Sequence, residues 1–355
     1  MSDTTASASP STSASASAAA APATEQWNIT GAVNTALSAA MARDPKLLVL
    51  GEDIADPIGG VWRTFAGLST TYGTDRVRNT PISEQAIVGA AIGAALAGYR
   101  VVADIMFFDF IAVCLDQLAN HAAKLRYMSG GVSGVPITVT TTVGSGRFGA
   151  QHTQSLEAWL MHTPGVKVVY PTTPEDAAGL MTACIDDDDP CLFIQHSGTL
   201  FKKSPKAPSE GPSAGSAPAP VPLGRADVKR QGTDVSIVAY GVAVRDALRA
   251  ADALAEDGIA AEVVDLRSLV PLDVDTVLAS VAKTRRAVVV HAATRFCGPG
   301  AEIAAVIGAE LFGDLLAPVR RLGAEYVPVP FAAELDPFPS AGSVADAVRG
   351  LVARG

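Results

Sequence analysis

The sequence lacks the motifs of several common enzyme classes. Its four cysteines form no CxxC pair and each lies in an apolar run, which favours buried free thiols over a disulfide or a zinc site. No GxSxG elbow and no P-loop occur, and the glycines at 144, 146 and 149 do not match a GxGxxG motif. These absences argue against a serine hydrolase of the elbow type, a P-loop enzyme and a nicotinamide dehydrogenase.

The chain also lacks an excess of positive charge and long apolar runs. The net charge of −9 argues against nucleic acid or an anionic membrane surface as a partner. No apolar run approaches the roughly 18 residues of a membrane helix. The first 26 residues contain no Lys or Arg, so they match neither a signal nor a transit peptide, and we interpret residues 1–26 as a disordered tail. We therefore expect a cytoplasmic protein.

What the sequence does contain is an alternation of short apolar strands with helical patterns. This alternation predicts the α/β class, with parallel sheets covered by helices. A segment rich in Pro, Ser and Ala interrupts it at residues 202–222, and we interpret this segment as a linker that is too polar to pack. The sequence therefore predicts two α/β domains, at residues 27–201 and 223–355.

Two polar residues are candidates for chemistry on position alone. His152 lies in a Gly-rich loop after a predicted strand, where catalytic groups of parallel sheets are common and where an imidazole can transfer protons. Glu84 opens a predicted helix, so it fits a role in capping that helix as well as a role in chemistry. The remaining histidines do not cluster in the sequence and are interpreted as structural: His121, His162, His196 and His291.

The helix that begins at Glu84 carries a face of small residues. These are Gly89, Ala90, Gly93, Ala94 and Ala97. Glycine costs about 1 kcal/mol relative to alanine inside a helix, so its repetition needs a close approach in compensation. We favour packing against another helix or another subunit over direct contact with a cofactor.

A series of sequence blocks extends in order from residue 27 to the end. The main blocks are Gly51–Asp53, Gly59–Arg63, Arg76–Glu84, Ala122–Tyr127, Ala150–Ser155, His162–Val169, Val264–Leu269 and Ser280–Thr284. Together they resemble the beta subunits of thiamine-diphosphate-dependent 2-oxo acid and acetoin dehydrogenases, within the transketolase-like superfamily. Two further segments, Val113–Gln117 and Ser155–Trp159, are most similar to the acetoin dehydrogenases.

This resemblance implies a fold and a cofactor. Residues 27–201 would form a pyrimidine-binding domain and residues 223–355 a transketolase C-terminal-like domain. Thiamine diphosphate would supply the carbanion chemistry. Glu84 matches the catalytic carboxylate that binds the aminopyrimidine ring, and Phe110 matches the aromatic residue that stacks on that ring. His152 matches the catalytic histidine that moves protons and assists acyl transfer to a lipoyl arm.

The resemblance also implies a potassium site built from main-chain and side-chain oxygens. The matching residues are Ile137, Cys184, Ile185, Asp187 and Asp189. Hard oxygen ligands suit such a cation. Without the resemblance, the run of aspartates from 186 to 189 is a solvated acidic loop.

One absence bears on the partners. The chain has no GDG motif of the kind that holds Mg²⁺ and the diphosphate in this class. The family places that half of the site on an alpha subunit, so the resemblance implies an alpha2beta2 heterotetramer, with a lipoyl-bearing dihydrolipoamide acyltransferase as a further partner. The implied reaction is oxidative decarboxylation of pyruvate or a branched-chain 2-oxo acid, or acetoin cleavage, with acyl transfer to lipoamide. The alternative is a stand-alone alpha–beta pair that forms acyloins without a lipoyl partner.

The sequence departs from the family pattern at three strand ends. The family usually has arginine at Thr140, an acid at Gln195 and an acid where His291 ends its strand. Because Thr140 and Gln195 fall in the same domain, we predict that they are neighbours in one sheet, where two neutral groups replace an ion pair.

Overall fold

Strands and helices alternate through both halves of the chain, as the sequence predicts. The structure is a computed structural model that describes residue 1 and residues 26–145, 148–205 and 218–353. Residues 2–25 of the predicted tail, 146–147 of the Gly-rich loop and 206–217 of the predicted linker lie outside the described residues. Two α/β halves make up the rest, each built around a sheet in which parallel pairing dominates.

The first half is built around a seven-stranded sheet that is parallel except for one edge strand. From one edge to the other, its strands are β12 (Ser268–Val270), β6 (Lys167–Val169), β7 (Cys191–His196), β5 (Ile137–Val143), β4 (Arg100–Ile105), β2 (Leu47–Gly51) and β3 (Val77–Asn79). Every residue of β5 is buried, because this central strand is covered on both faces. Residues that follow the parallel strands gather along their carboxyl edge, where such sheets bind ligands.

The second half has a smaller sheet of five strands. Its order is β14 (Arg320–Ala324), β13 (Ala287–Thr294), β10 (Val235–Ala239), β11 (Ala261–Asp265) and β9 (Asp227–Arg230). The first four are parallel, and β9 runs antiparallel to β11. The two predicted α/β units are thus confirmed as a fold class, with β9 and β12 as antiparallel additions that no alternation of strand and helix indicates.

Helices cover these sheets. Those of the first half are α1 (Ile29–Arg43), α2 (Leu68–Tyr72), α3 (Glu84–Leu96), α4 (Ile111–Asp116), α5 (Ala123–Met128), α6 (Glu157–Met161), α7 (Pro174–Asp186) and α8 (Ser197–Leu200). Those of the second half are α9 (Ala243–Glu256), α10 (Val274–Thr284), α11 (Pro299–Glu310) and α12 (Ala341–Val352). A 3₁₀ turn at Phe108–Phe110 precedes α4, and a π-helical segment at Gln117–Ala122 separates α4 from α5.

Local chemistry explains where the main helices begin. The Asn28 side chain accepts a hydrogen bond from the Gly31 backbone N–H at the start of α1. Thr173 does the same for Asp176 at the start of α7, where Pro174 occupies the first helical position. Buried faces of α1 and α7 then meet in one core cluster, with residues such as Leu37 and Leu180 below 1% exposed.

The two halves are joined by more than a linker. Strand β12, from the second half of the sequence, pairs with β6 at the edge of the first sheet. Beside it, buried Asp176 on α7 accepts hydrogen bonds from Lys229 Nζ at 2.6 Å and Arg267 Nη1 at 2.9 Å. Burial alone would raise the pKa of Asp176, but these two cations lower it below its usual value. The two halves therefore share a buried ionic clamp.

The ends of the predicted linker pack, contrary to the expectation that this segment is too polar to do so. Strand β8 (Ser204–Pro205) pairs antiparallel with β1 (Gln26–Trp27). At the other end, the Val221 N–H donates to the Gly179 carbonyl at 3.1 Å, and Val221 and Leu223 pack against the first core. Apolar residues within the Pro-rich composition account for this difference.

The small-residue face of α3 is only partly used within the chain. The helix buries Ile87, Ala91 and their neighbours, whereas Ala90, Gly93 and Ala97 stay exposed. A methyl group added at Gly93 would meet nothing within 4 Å. Separately, no helix in the described part of the chain is long and apolar enough to span a membrane.

Candidate active site

Phe110 and His152, two of the predicted site residues, lie together beyond the carboxyl end of β4. The ring of His152 meets Phe107 edge-on with centroids 4.8 Å apart, and it meets Phe110 edge-on at 5.4 Å. Phe110 and His152 both remain half-buried, so each presents an accessible edge. We call Phe107, Phe110 and His152 the aromatic corner.

Two more aromatic residues, Trp62 and Phe148, pack beside the aromatic corner. The sequence did not lead us to predict these two residues or Phe107 as part of the site. Trp62 lies 5.5 Å from Phe107 and 6.0 Å from Phe148, measured between ring centroids. The Trp62 indole N–H donates to the Met106 carbonyl at 3.2 Å, which fixes the ring above the end of β4. The aromatic residues between positions 107 and 110 could have indicated this cluster, since such residues rarely gather at a strand end without a packing partner.

The loop that carries His152 is held from both sides. A Cβ atom at Gly144 would lie 1.8 Å from the His152 carbonyl oxygen, so only glycine permits this approach of the two backbones. Downstream, buried Asp109 accepts hydrogen bonds from the Gln154 backbone N–H at 3.2 Å and from its side-chain amide at 2.8 Å. Thr153 adds a bond to the Ser145 carbonyl at 3.1 Å. These contacts fix His152 relative to the turn that bears Phe110.

Glu84 lies close to the same neighbourhood. It is the first residue of α3, is half-buried, and accepts no hydrogen bond from any described residue. Burial and then the negative charge of Glu84 raise the pKa of the Cys114 thiol to about 12. The Cys114 sulfur lies 3.9 Å from the Phe110 carbonyl oxygen. Glu84 and Phe110 thus both neighbour Cys114, and the alternative role of Glu84 as a side-chain helix cap has no hydrogen bond to support it.

Two further acidic residues, Glu52 and Asp53, add to the negative charge near Glu84. Burial, followed by the charges of Glu84 and Asp53, raises the pKa of Glu52. A free carboxyl group beside a partly exposed aromatic ring suits a flat heterocycle with a ring nitrogen. A diphosphate would instead be repelled by these carboxylates. The residues present therefore fit the pyrimidine end of thiamine diphosphate, and they do not fit its diphosphate end.

Thr140 and Gln195 occupy neighbouring strands, but Thr140 has a nearer polar partner. In the register of β5 and β7, Thr140 faces Phe193 and Thr142 faces Gln195, so Thr140 and Gln195 are diagonal neighbours on one face. The Thr140 hydroxyl donates to Asp104 Oδ1 at 2.7 Å. Burial raises the pKa of Asp104 to about 7, and the hydrogen bond only partly offsets this. An arginine at position 140 would therefore meet Asp104 as well as Gln195.

The residues predicted to bind potassium lie around the loop between α7 and β7, where side-chain cations already occupy several of the oxygens. The carbonyls of Ile185 and Asp187 accept hydrogen bonds from Arg100 at 3.0 and 2.7 Å. The Asp187 carboxylate accepts from Lys167 at 2.6 Å, and Asp189 pairs with Arg126. A potassium ion here would have to displace these side-chain cations from the oxygens that they occupy.

Two histidines that the sequence reading kept apart come together in the structure. His196 and His291 both line a cavity of about 330 Å³ between the two halves. Burial, and then the charges of Arg245 and Lys202, lower the pKa of His196 to about 4, and burial lowers that of His291 to about 4. Both rings are therefore neutral near pH 7, which agrees with a structural role.

A larger cavity of about 870 Å³ opens beside the His152 loop. Residues 153–156 and Trp159 line it from the first half, and residues 292–294, 296–298, 324 and 326–329 line it from the second half. Its volume is within the range of ligand sites. The aromatic corner therefore lies close to an opening between the two halves.

Comparison with known proteins agrees with this geometry. Residues 25–202 match the family described as transketolase, pyrimidine binding domain, and residues 224–338 match transketolase, C-terminal domain. The beta subunit of acetoin:2,6-dichlorophenolindophenol oxidoreductase from Cupriavidus necator is 45% identical over 90% of this chain and 95% of its own. The pyruvate dehydrogenase E1 component subunit beta of Bacillus subtilis is 41% identical over 86% of this chain and 92% of its own.

A solved structure shows the same fold at lower identity. The split-gene transketolase described as an inactive beta4 tetramer has a TM-score of 0.73 and 24% identity, covering 92% of this chain and 98% of its own. These matches extend over both halves of the chain. The chain therefore belongs to the transketolase-like family of dehydrogenase beta subunits, whose domains imply thiamine diphosphate as the cofactor and an alpha subunit as the partner.

Proposed function

We propose that this chain is the beta subunit of an enzyme that oxidatively cleaves acetoin or a 2-oxo acid and passes the acyl group to lipoamide. The observation that carries the proposal is the ring contact between Phe110 and His152. It is supported by Glu84, which has no hydrogen-bond partner among the described residues and lies in acidic surroundings that would repel a diphosphate. The relatives named above are oxidoreductase and dehydrogenase subunits. This favours oxidative cleavage over the alternative of acyloin formation without a lipoyl partner.

Thiamine diphosphate, when bound, supplies a carbanion that attacks a carbonyl carbon and keeps the electron pair released when the adjacent bond breaks. Glu84 would hold a proton against a ring nitrogen, a role for which its carboxyl group is free. Phe110 would orient the ring through its exposed face. His152 would give and take protons at the substrate oxygen and at the acyl acceptor, because its half-buried imidazole lies against the Phe110 ring. The aromatic corner would keep water away from these steps.

The partners follow from what this chain lacks. We propose that the alpha subunit holds Mg²⁺ and the diphosphate, in an alpha2beta2 heterotetramer, and that a lipoyl-bearing dihydrolipoamide acyltransferase receives the acyl group. The exposed face of α3 at Ala90, Gly93 and Ala97 permits another helix to approach closely and is our candidate for a subunit contact. A cytoplasmic location belongs to the same proposal.

Potassium binding at Ile137, Cys184, Ile185, Asp187 and Asp189 is a separate proposal with its own test. An ion there would take carbonyl oxygens from Arg100 and carboxylate oxygens from Lys167. Substituting K⁺ for Na⁺ at constant ionic strength should then raise the melting temperature of the assembled enzyme. An unchanged melting temperature would mean that the cations of the chain itself hold this loop.

The reaction can be tested directly. The chain would be co-expressed with its alpha subunit and assayed with acetoin, pyruvate and branched-chain 2-oxo acids, using dichlorophenolindophenol and lipoamide as acceptors. We expect acetoin to give the highest kcat/KM, since the acetoin oxidoreductase subunits of Cupriavidus necator and Bacillus subtilis are 45% and 42% identical to this chain. Acyloin formation without turnover of either acceptor would contradict the proposal.

A further inference from the structure

Five residues after His152, the chain buries a carboxyl group completely. Glu157 is the first residue of α6 and is 0% exposed, and neither of its carboxyl oxygens has a hydrogen-bond partner among the described residues. No ion pair of the described residues includes it. An ionised carboxylate without a partner in such a place would be strongly unfavourable. Glu157 therefore needs either a proton, or bridging groups, or both.

The residues around Glu157 carry further unsatisfied polar atoms. The hydroxyl groups of Tyr170 and Tyr240 are buried without partners among the described residues. The Ser155 hydroxyl faces the Glu157 carboxyl group and lowers its pKa, but it makes no hydrogen bond of normal geometry with any described residue. Burial and then the charge of Glu157 raise the pKa of both phenols. Helix α6, which begins at Glu157, packs against β6, which Tyr170 directly follows. The ring of Tyr240 in turn stacks on His291 with centroids 5.8 Å apart. We call Glu157, Tyr170, Tyr240 and His291 the interdomain cluster.

The interdomain cluster connects the segment that begins at His152 to both halves of the molecule. Tyr170 directly follows β6 of the first sheet, and Tyr240 directly follows β10 of the second. Gly241 has a φ of +54°, and a Cβ atom there would lie 2.8 Å from the Tyr170 ring. This close approach brings the two tyrosine rings to 5.9 Å between centroids. Glu157 reaches the junction from the segment that begins at His152.

We infer that Glu157 is a positioning residue: as a neutral acid bridged by enclosed water to Tyr170 and Tyr240, it fixes the His152 segment against the strand ends of both halves. Several polar atoms without protein partners in one buried place are the usual setting for such water, which typically makes about three hydrogen bonds. His291 does not supply a compensating charge. Its Nδ1 lies 2.9 Å from the Ala293 carbonyl, and burial lowers its pKa to about 4.

Ionisation of Glu157 should disturb this arrangement. Burial raises the pKa of Glu157 to about 7. The titratable and polar groups that face it are Ser155 on its own segment, Tyr170 and Tyr240, with neutral His291 behind Tyr240. None of these carries a positive charge near pH 7, so raising the pH above about 7 would create an unpaired charge at the junction. The bridge to the tyrosines would then rearrange and His152 would lose its position.

The test uses the assembled alpha–beta enzyme and three variants. Glu157→Gln keeps the size and the hydrogen-bonding capacity of a neutral acid, Glu157→Leu removes the polar group, and Glu256→Gln changes an exposed glutamate on α9 as a matched control. Infrared difference spectra would follow the carbonyl stretch of a protonated carboxylic acid between pH 5 and pH 9. Steady-state kinetics over the same range would give kcat and KM separately.

At pH 6 we expect the wild type to show a protonated-acid band to which Glu157 contributes beside buried Asp104 and Asp265, and which fades above about pH 7. The Glu157 contribution should be missing in Glu157→Gln but retained in Glu256→Gln. The kinetic expectation rests on the proposed function. Wild-type kcat should fall as that band fades, whereas Glu157→Gln should stay within about twofold of the pH 6 wild-type value throughout. Glu157→Leu should lower kcat by on the order of 10- to 100-fold with little change in KM, as expected for a misplaced catalytic group.

Two results would overturn the inference. One is an infrared spectrum of Glu157→Gln that matches the wild type, since Glu157 would then not be a neutral acid. The other is a kcat profile in which Glu157→Gln keeps the wild-type loss above neutral pH. Failure of the proposed function would look different: the wild-type enzyme would turn over none of the carbonyl substrates, while the infrared band would still report on Glu157.

Discussion

His152 of the aromatic corner and Glu157 of the interdomain cluster lie five positions apart in the chain. The two regions nevertheless differ in how far their polar groups are exposed. In the aromatic corner, His152 is half-buried beside a large opening, and nearby Glu84 is half-buried without a hydrogen-bond partner. In the interdomain cluster, Glu157 and His291 are at most 1% exposed. Accessible polar groups can contact a substrate, whereas enclosed polar groups affect the stability and the arrangement of the fold. Substitutions in the two regions should therefore have different consequences.

The largest effect is expected in the active-site region, from Glu84→Gln in the assembled enzyme. Turnover should fall by about 10²- to 10⁴-fold, the range typical of general acid–base groups. Melting temperature and subunit assembly should stay unchanged, because Glu84 makes no hydrogen bond with any residue that the structure describes. Glu302→Gln, on an exposed position of α11, is the matched control. Near-normal turnover in Glu84→Gln would remove Glu84 from the mechanism.

A buried acid of the second half should show the opposite behaviour, with a change in stability and not in chemistry. Burial raises the pKa of Asp265 to about 7, and Lys229 offsets this only in part. In the unfolded chain its pKa is about 4. Between these values the folded state keeps a proton that the unfolded state releases, so the free energy of unfolding should fall as the pH rises from about 4 to about 7. Above that range no further loss from Asp265 is expected.

Asp265→Asn should remove this contribution, because asparagine does not titrate. Relative to the wild type, the variant should gain stability at pH 8 compared with pH 4, by at most about 4 kcal/mol. Melting temperatures of the assembled enzyme across this pH range would measure the difference, with Asp314→Asn at an exposed loop position as the control. If both variants follow the wild-type curve in parallel, Asp265 is not protonated in the folded enzyme.

A smaller effect, on the stability of the protein, is expected from a substitution at Thr140. Thr140→Arg should destabilise the protein, because the position is fully buried and its hydroxyl bonds Asp104. Double-mutant cycles can then compare two partners, Gln195→Glu and Asp104→Asn. The hydrogen bond predicts the stronger coupling with Asp104, within the 0.5–3 kcal/mol typical of residues in contact. Stronger coupling with Gln195→Glu would support the prediction that two neutral groups at positions 140 and 195 replace an ion pair.

The sequence predicts much of the fold because its strands are short, apolar and regularly separated by helices. The strand Ala261–Asp265 is buried along its whole length, and the strand Cys191–His196 is buried except at His196, so composition alone identifies them. Strand β12 could not be predicted in the same way. It has three residues, pairs antiparallel with a distant part of the chain, and depends on contacts that are remote in sequence.

Some residues of the candidate site could likewise be predicted from the sequence, and others could not. The resemblance identified Glu84, Phe110 and His152, and the structure brings Phe110 and His152 into ring contact and both Phe110 and Glu84 beside Cys114. Neither composition nor spacing could indicate Glu157, because a glutamate at the start of a short helix looks like an ordinary surface residue. Its burial becomes visible only when both halves of the molecule are in place.

The central claim is that this chain carries only the pyrimidine half of a cofactor site shared with an alpha subunit. Titration calorimetry with thiamine diphosphate and Mg²⁺ tests it most directly, on the beta chain alone and after addition of the alpha subunit. We predict negligible binding by the beta chain, because the acidic residues near Glu84 repel a diphosphate, and clear binding once both chains are present. Binding by the isolated beta chain with a Kd in the micromolar range, about −8 kcal/mol, would contradict the account.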